Sequence, residues 1–180
     1  MMKQLLFVLI SMNLLACTVE QSKGTAKRTN FSKEEQNTLN IAREIIKNAY
    51  YTTLITLDQK GQPRARIMEA FAPEQDFEIW LATNPKSRKV AQINAQPRVT
   101  LHYFDKDNLG YVSLMGNAKI INDEKIKKTK WKDGWEKFYV NQRDAYMLIQ
   151  FIPEYLEVIS IPNGLTGDEK TWQPSVVRFY

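Results

Sequence analysis

The spacing of apolar positions changes several times along this chain, and each change marks an element. From Leu5 to Ala16 they run almost unbroken, interrupted only by Ser11 and Asn13. Further on, Leu39, Ala42, Ile45, Ile46 and Ala49 recur at the spacing of one helix face. Ser32 and Glu35 stand ahead of them as a capping box. The period then falls to two. Residues 51–58 are rich in β-branched and aromatic side chains, 59–62 supply a turn, and 64–71 resume extended chain. A second turn at 72–76 leads to a strand at 77–83 and a short helix at 87–95. Residues 99–104 and 110–121 form a further hairpin around 105–109, and a lysine-rich helix is expected over 123–139. Strands at 146–152 and 155–161 are separated by Pro153, which reads as a strand end. The sum is α+β and mainly antiparallel: five or six strands in a small β-barrel with short flanking helices.

The first apolar run belongs to a different kind of segment. It is twelve residues long, and a membrane-spanning helix needs about 20. With Lys3 in front of it, the run reads as a secretory signal peptide. Leu14-Leu15-Ala16-Cys17 resembles a bacterial lipobox, which makes Cys17 the lipidated residue. Residues 1–16 are then the signal, 17–31 a lipidated cysteine with a polar tether, and 32–180 one domain. The expected location is the bacterial cell envelope, with the protein lipid-anchored on the periplasmic side of the inner or outer membrane. Lys23, Lys27 and Arg28 outnumber Glu20 in the tether. Such a segment would be drawn weakly to an anionic membrane, and a plain solvated linker fits equally well.

Composition narrows the chemistry. The 180 residues carry a net charge of +5, with 43% apolar and 25% charged residues, as in an ordinary globular protein. Cys17 is the only cysteine, which excludes an internal disulfide framework and multi-cysteine zinc sites. His102 is the only histidine, so a histidine-rich metal centre is excluded and a histidine-based triad disfavoured. No metal is expected.

Four features could carry chemistry. Thr83-Asn84-Pro85-Lys86-Ser87-Arg88-Lys89 joins a strand to a helix, with Ser87 as the expected N-cap. Free N–H groups, two hydroxyls and two cations there could cradle a phosphate, or simply form a capped surface helix with solvated charges. Arg64 and Arg66 alternate onto one strand face, with Met68 beyond them. Such a pair suits a phosphate or an exposed barrel exterior. The lysines at 125, 127, 128, 130 and 132 lie near Trp131, Trp135, Phe138 and Tyr139. They read as a solvated face over core aromatics, and no nucleic-acid partner is expected. His102 reads as a structural histidine, with a haem or metal role as the alternative.

Together these motifs, in this order, resemble the pyridoxamine 5′-phosphate oxidase-like, FMN-binding split-barrel superfamily, and most closely its general stress protein branch. The resemblance covers about residues 36 to 178. It rests on Arg66-Ile67-Met68, Leu81-Ala82-Thr83-Asn84, Ser87-Arg88-Lys89 and Asn94 to Val99. Gly110-Tyr111-Val112-Ser113, Met115-Gly116-Asn117-Ala118 and the ending from Gly164-Leu165-Thr166-Gly167 to Trp172-Gln173-Pro174 extend it. It implies a six-stranded split barrel that forms a homodimer, with FMN at the subunit interface; a deazaflavin or haem stands behind FMN. It implies further that Arg66, Arg88 and Lys89 contact the phosphate, helped by Thr83 and Ser87. The main chain around Ile67, Met68 and Ala82 would flank the isoalloxazine ring, and Tyr111, at a position that lies across the dimer interface, and Trp172 would complete the site. The activity implied is flavin-dependent oxidoreduction of an unidentified small molecule, with a non-catalytic flavin- or haem-sequestering module as the alternative. Phe71 stands where the true oxidases carry a substrate-holding lysine, and their arginine–proline … serine–glutamine motif has no counterpart between Asp123 and Arg143. Oxidation of pyridoxamine phosphate is therefore not expected, and no catalytic side chain is assigned.

Overall fold

The computed structural model describes residues 26–139 and 146–180. The expected signal peptide and Cys17 lie outside the described residues.

Helix α1 (Lys33–Ala49) begins where the capping box places it. The Ser32 hydroxyl accepts from the Glu35 amide at 3.1 Å, and the Glu35 carboxylate accepts from the Ser32 amide at 2.9 Å. Its apolar stripe, Leu39, Ala42, Ile45 and Ile46, is buried. Ahead of it, the Arg28 side chain donates to Glu35 and to the Arg178 carbonyl, so the chain is tied to the domain before the helix starts.

The strands are β1 (Tyr51–Leu57), β2 (Pro63–Glu69), β3 (Ile79–Thr83), β4 (Arg98–Asp105), β5 (Gly110–Ile121), β6 (Met147–Ser160) and β7 (Ser175–Arg178). Helix α2 (Arg88–Ala95) follows β3, and a short α3 (Glu124–Thr129) follows β5. Six strands run in the order β2-β1-β4-β5-β6-β3, every pairing antiparallel, and β7 adds to β6. One bridge, Ala70 to Leu81, brings the two ends of this path together without a ladder. The sheet therefore curls into a split barrel. Its interior is filled by Leu54, Leu81, Leu101, Tyr103, Leu114, Phe151 and Leu156, with α1 laid against it. A second, aromatic cluster holds Trp80, Trp135, Tyr146 and Leu148.

Three expectations need correction. Pro153 does not end a strand: β6 runs through it, because the register with β5 shifts between Met115 and Gly116 directly opposite. A bulge removes the need for a ladder donor at that residue. A Cβ on Gly116 would lie 2.2 Å from the Ile152 carbonyl oxygen, so only glycine fits this crossing. The helix expected over 123–139 is only α3, capped at Lys130, plus a 3₁₀ turn at Trp135–Lys137 that Gly134 opens at φ 89°. Nor is the lysine run simply a solvated face. Lys127 is buried against Tyr146 and bonded to Glu124, while Lys130 and Lys132 pair with Glu74 and Glu69. Phe138, expected in the core, is 73% exposed.

Candidate functional site

Strand β2 pairs with β1 so that Arg64 faces Thr56 and Arg66 faces Leu54. Opposed residues share a sheet face. This is the face on which Leu54 and Thr56 are buried, so Arg66 lies against the interior side of the sheet. Its guanidinium donates to the Thr56 hydroxyl at 2.7 Å and to the Gln92 amide oxygen at 3.0 Å. Thr56 in turn donates to Gln92 at 2.7 Å. Neutral groups therefore hold the arginine in place and leave its charge uncancelled.

The turn from β3 into α2 supplies the other cations. Lys89 donates to the Thr83 hydroxyl at 3.0 Å and to the Ser87 hydroxyl at 2.7 Å. Ser87 sits at the N-cap position, but its hydroxyl serves Lys89 and makes no cap bond. Burial, and then the nearby Arg66 charge, hold the Lys89 ammonium below the ordinary lysine value. Arg66 is likewise lowered, by burial first and then by Arg88. Among the described residues no carboxylate lies within ion-pair distance of Arg66, Arg88 or Lys89. Three clustered cations, Arg66 repelled by Arg88 and Lys89 by Arg66, beside two hydroxyls fit a bound dianion such as a phosphate.

Next to this cluster lies a cleft of about 270 Å³, lined by Tyr51, Ile67, Met68, Ala82 and the aromatic segment Trp135, Phe138 and Tyr139. Glu69 forms part of its wall and ties that segment down. Its carboxylate accepts from Tyr50 Oη at 2.7 Å, Lys132 Nζ at 2.9 Å and Trp135 Nε1 at 3.1 Å. Burial acts to raise its pKa, but these three bonds outweigh burial and leave it below the ordinary glutamate value. Tyr139 moves the other way, pushed up to about 12 by burial and by Tyr146 and Glu69.

Residues 41–159 match the pyridoxamine 5′-phosphate oxidase family. The chain belongs to that family. It is 29% identical over 106 residues to general stress protein 26 of Bacillus subtilis, a match covering 57% of this chain and 74% of that protein. The fold is similar to that of a protein related to general stress protein 26 from Clostridium acetobutylicum: TM-score 0.65, 20% identity, 79% of this chain and 95% of the other covered. It is also similar to a pyridoxamine 5′-phosphate oxidase-related, FMN-binding protein of Nostoc punctiforme: TM-score 0.57, 11% identity, 82% and 96% covered.

Within one chain, then, Arg66, Thr83, Ser87, Arg88 and Lys89 come together, and Ile67, Met68 and Ala82 line the adjoining cleft. Tyr111 does not join them: its ring meets that of His102 at a tilt of 37°, centroids 5.5 Å apart. Trp172 is 87% exposed, in the turn before β7 at φ 59°. His102 is bonded through Nδ1 to the Ser113 hydroxyl at 2.8 Å and stays with the sheet. Thr56, Gln92 and Glu69 were not singled out by the sequence. For Gln92 a signal existed, since it lies one helical turn after Arg88.

Proposed function

We propose that this protein binds FMN and works as a flavin-dependent oxidoreductase on a small molecule. The observation that carries this reading is the trio of Arg66, Arg88 and Lys89, gathered beside two hydroxyls with no carboxylate among the described residues to neutralise it. A phosphate dianion would cancel that repulsion and restore the lysine's proton affinity. From there the ring would extend over Ile67, Met68 and Ala82, where the cleft is apolar and flanked by aromatic side chains. The bound flavin supplies the electron chemistry; the protein positions it and excludes water from one face. A role confined to sequestering flavin differs only in whether the bound ring is reduced by a donor.

The proposal extends to a homodimer. Tyr51, Ile67 and Phe104 are 54%, 67% and 55% exposed, and two of them border the cleft. A second copy over this surface would bury those side chains and complete the wall, with Tyr111 on the same sheet. Through Cys17 the protein would be lipid-anchored in the bacterial envelope.

The test is titration of the purified full chain with FMN, followed by flavin absorption and fluorescence, then anaerobic addition of NADH or NADPH. Saturable quenching with bleaching of the flavin band supports the enzyme. Quenching without bleaching by either donor favours sequestration, and a chain that ignores FMN removes the flavin assignment. Light scattering of the same sample reads the dimer, and a sample staying at monomer mass sinks that part.

A further inference from the structure

Three separate segments pass the cation cluster, and all three do so in the same direction. On β1, Tyr51 lines the ring cleft, Thr56 holds Arg66, and Leu57 and Asp58 line a second cleft beyond. On β2 the order is reversed in sequence but identical in space: Met68 and Ile67, then Arg66, then Arg64. Through β3 and α2 it is Ala82, then Thr83, Ser87 and Lys89, then Ala91, Gln92 and Ala95. The result is one groove with three stations. At the strand's usual rise, Arg64 and Met68 are separated by about 13 Å.

The far cleft holds about 370 Å³. It shares Arg88 and Gln92 with the cation cluster, so the two sites are continuous. Leu57, Ala91 and Ala95 give it apolar surface, and Gln59, Gln92 and Gln96 ring it with amides. Arg64 is spent on Asp58, bonded through two nitrogens at 2.9 and 2.7 Å. Lys60 and Arg88 have no carboxylate partner among the described residues, so an uncancelled pair of positive charges remains. A ligand that ends at its first phosphate engages Arg88 from one side only and leaves this cleft and Lys60 unused.

We propose that the groove accommodates a dinucleotide. Its first phosphate sits among Arg66, Arg88 and Lys89, its second phosphate between Arg88 and Lys60, and its nucleoside against Ala91 and Ala95. A purine suits the last station, because its faces are apolar and its edge both donates to and accepts from amides. This deepens the flavin reading and rests on it: the preferred cofactor is FAD, with FMN occupying two of the three stations.

The experiment measures dissociation constants of the full chain for FMN and FAD by fluorescence quenching, in the unmodified protein and in Lys60→Ala and Ala95→Trp. FAD is expected to bind at least tenfold more tightly than FMN. Removing the distal charge, or filling the cleft with an indole, should bring the ratio to within twofold of unity. Equal or tighter binding of FMN by the unmodified chain overturns the dinucleotide and leaves the FMN reading standing. A FAD preference that survives both substitutions also overturns it, since the preference would then arise elsewhere. If neither flavin binds, the underlying reading falls and takes this inference with it.

Discussion

Replacing Lys89 by methionine separates a ligand site from a structural one, because a ligand site loses affinity while stability stays nearly unchanged. In the empty protein the ammonium donates to two neutral hydroxyls, Thr83 and Ser87, and stands half-buried near Arg66 with no carboxylate partner among the described residues. Losing two such bonds costs about 1 kcal/mol each. Against that, methionine keeps most of the stem and removes a desolvated charge that repels Arg66. The two effects largely cancel, so stability should change by no more than about 1 kcal/mol, or roughly 2–4 °C in Tm. Binding has no such compensation. A charge-assisted contact to phosphate contributes about 1.5–3 kcal/mol, which is a loss of about 10- to 150-fold in FMN affinity. Riboflavin, which lacks the phosphate, should bind both proteins alike. The assay is fluorescence titration with both flavins beside a thermal melt. The reasoning fails if FMN affinity drops less than threefold, or if riboflavin loses as much as FMN. There is also a pH signature. Because the folded pKa of Lys89 lies below the ordinary 10.5, FMN affinity should decline as alkaline pH deprotonates it, while the empty protein gains stability over that same window. Lys89→Arg should flatten the decline.

Three further outcomes follow from the geometry. Glu69→Gln keeps the shape but loses the charge that holds Tyr50, Lys132 and Trp135; it should cost about 1–3 kcal/mol and shift tryptophan emission to the red. The glutamate's lowered pKa means its contribution is present above the ordinary value of 4.5 and lost as pH falls through the folded value, so Glu69→Gln should lack that step in acid melts. Gly116→Ala puts a methyl 2.2 Å from the Ile152 carbonyl oxygen; overpacking there should cost about 3 kcal/mol or more, and an unchanged urea midpoint would contradict the close crossing. His102 is held below its ordinary 6.5 by burial, so folded stability should fall as pH drops below 6.5, and His102→Gln should remove that dependence from the melt.

What the sequence revealed was what lies close together in it. The capping box spans three residues, and the alternation of β4 places Val99, Leu101 and Tyr103 inward from neighbours two apart. The turn from Thr83 to Lys89 was legible for the same reason: strand, hydroxyls, cations and helix start are contiguous. Where the structure departs, a distant partner decided. Pro153 reads as a terminator until Gly116, from another strand, makes room for the bulge at Glu154 beside it. The lysine run reads as a solvated face until Glu69 and Glu74, 63 and 56 residues away, take Lys132 and Lys130. Glu69 itself shows no pattern, because all three of its donors come from other segments.

The two arginines of β2 make the same point more sharply. Alternation gives Arg64 and Arg66 the same face and the same chemistry, and the sequence has no means of choosing between them. The fold chooses by pairing. Asp58 reaches round the β1–β2 turn to neutralise Arg64, while Arg66 meets only a hydroxyl and an amide. Formal charge is the same at both positions, but at Arg66 it remains available to a ligand. A phosphate responds to charge left after pairing, and pairing is fixed only when the β1–β2 register is. The cation cluster and the distal cleft thus differ in kind along a single strand: one is positive because no described carboxylate answers its cations, the other because Asp58 answers only one of three.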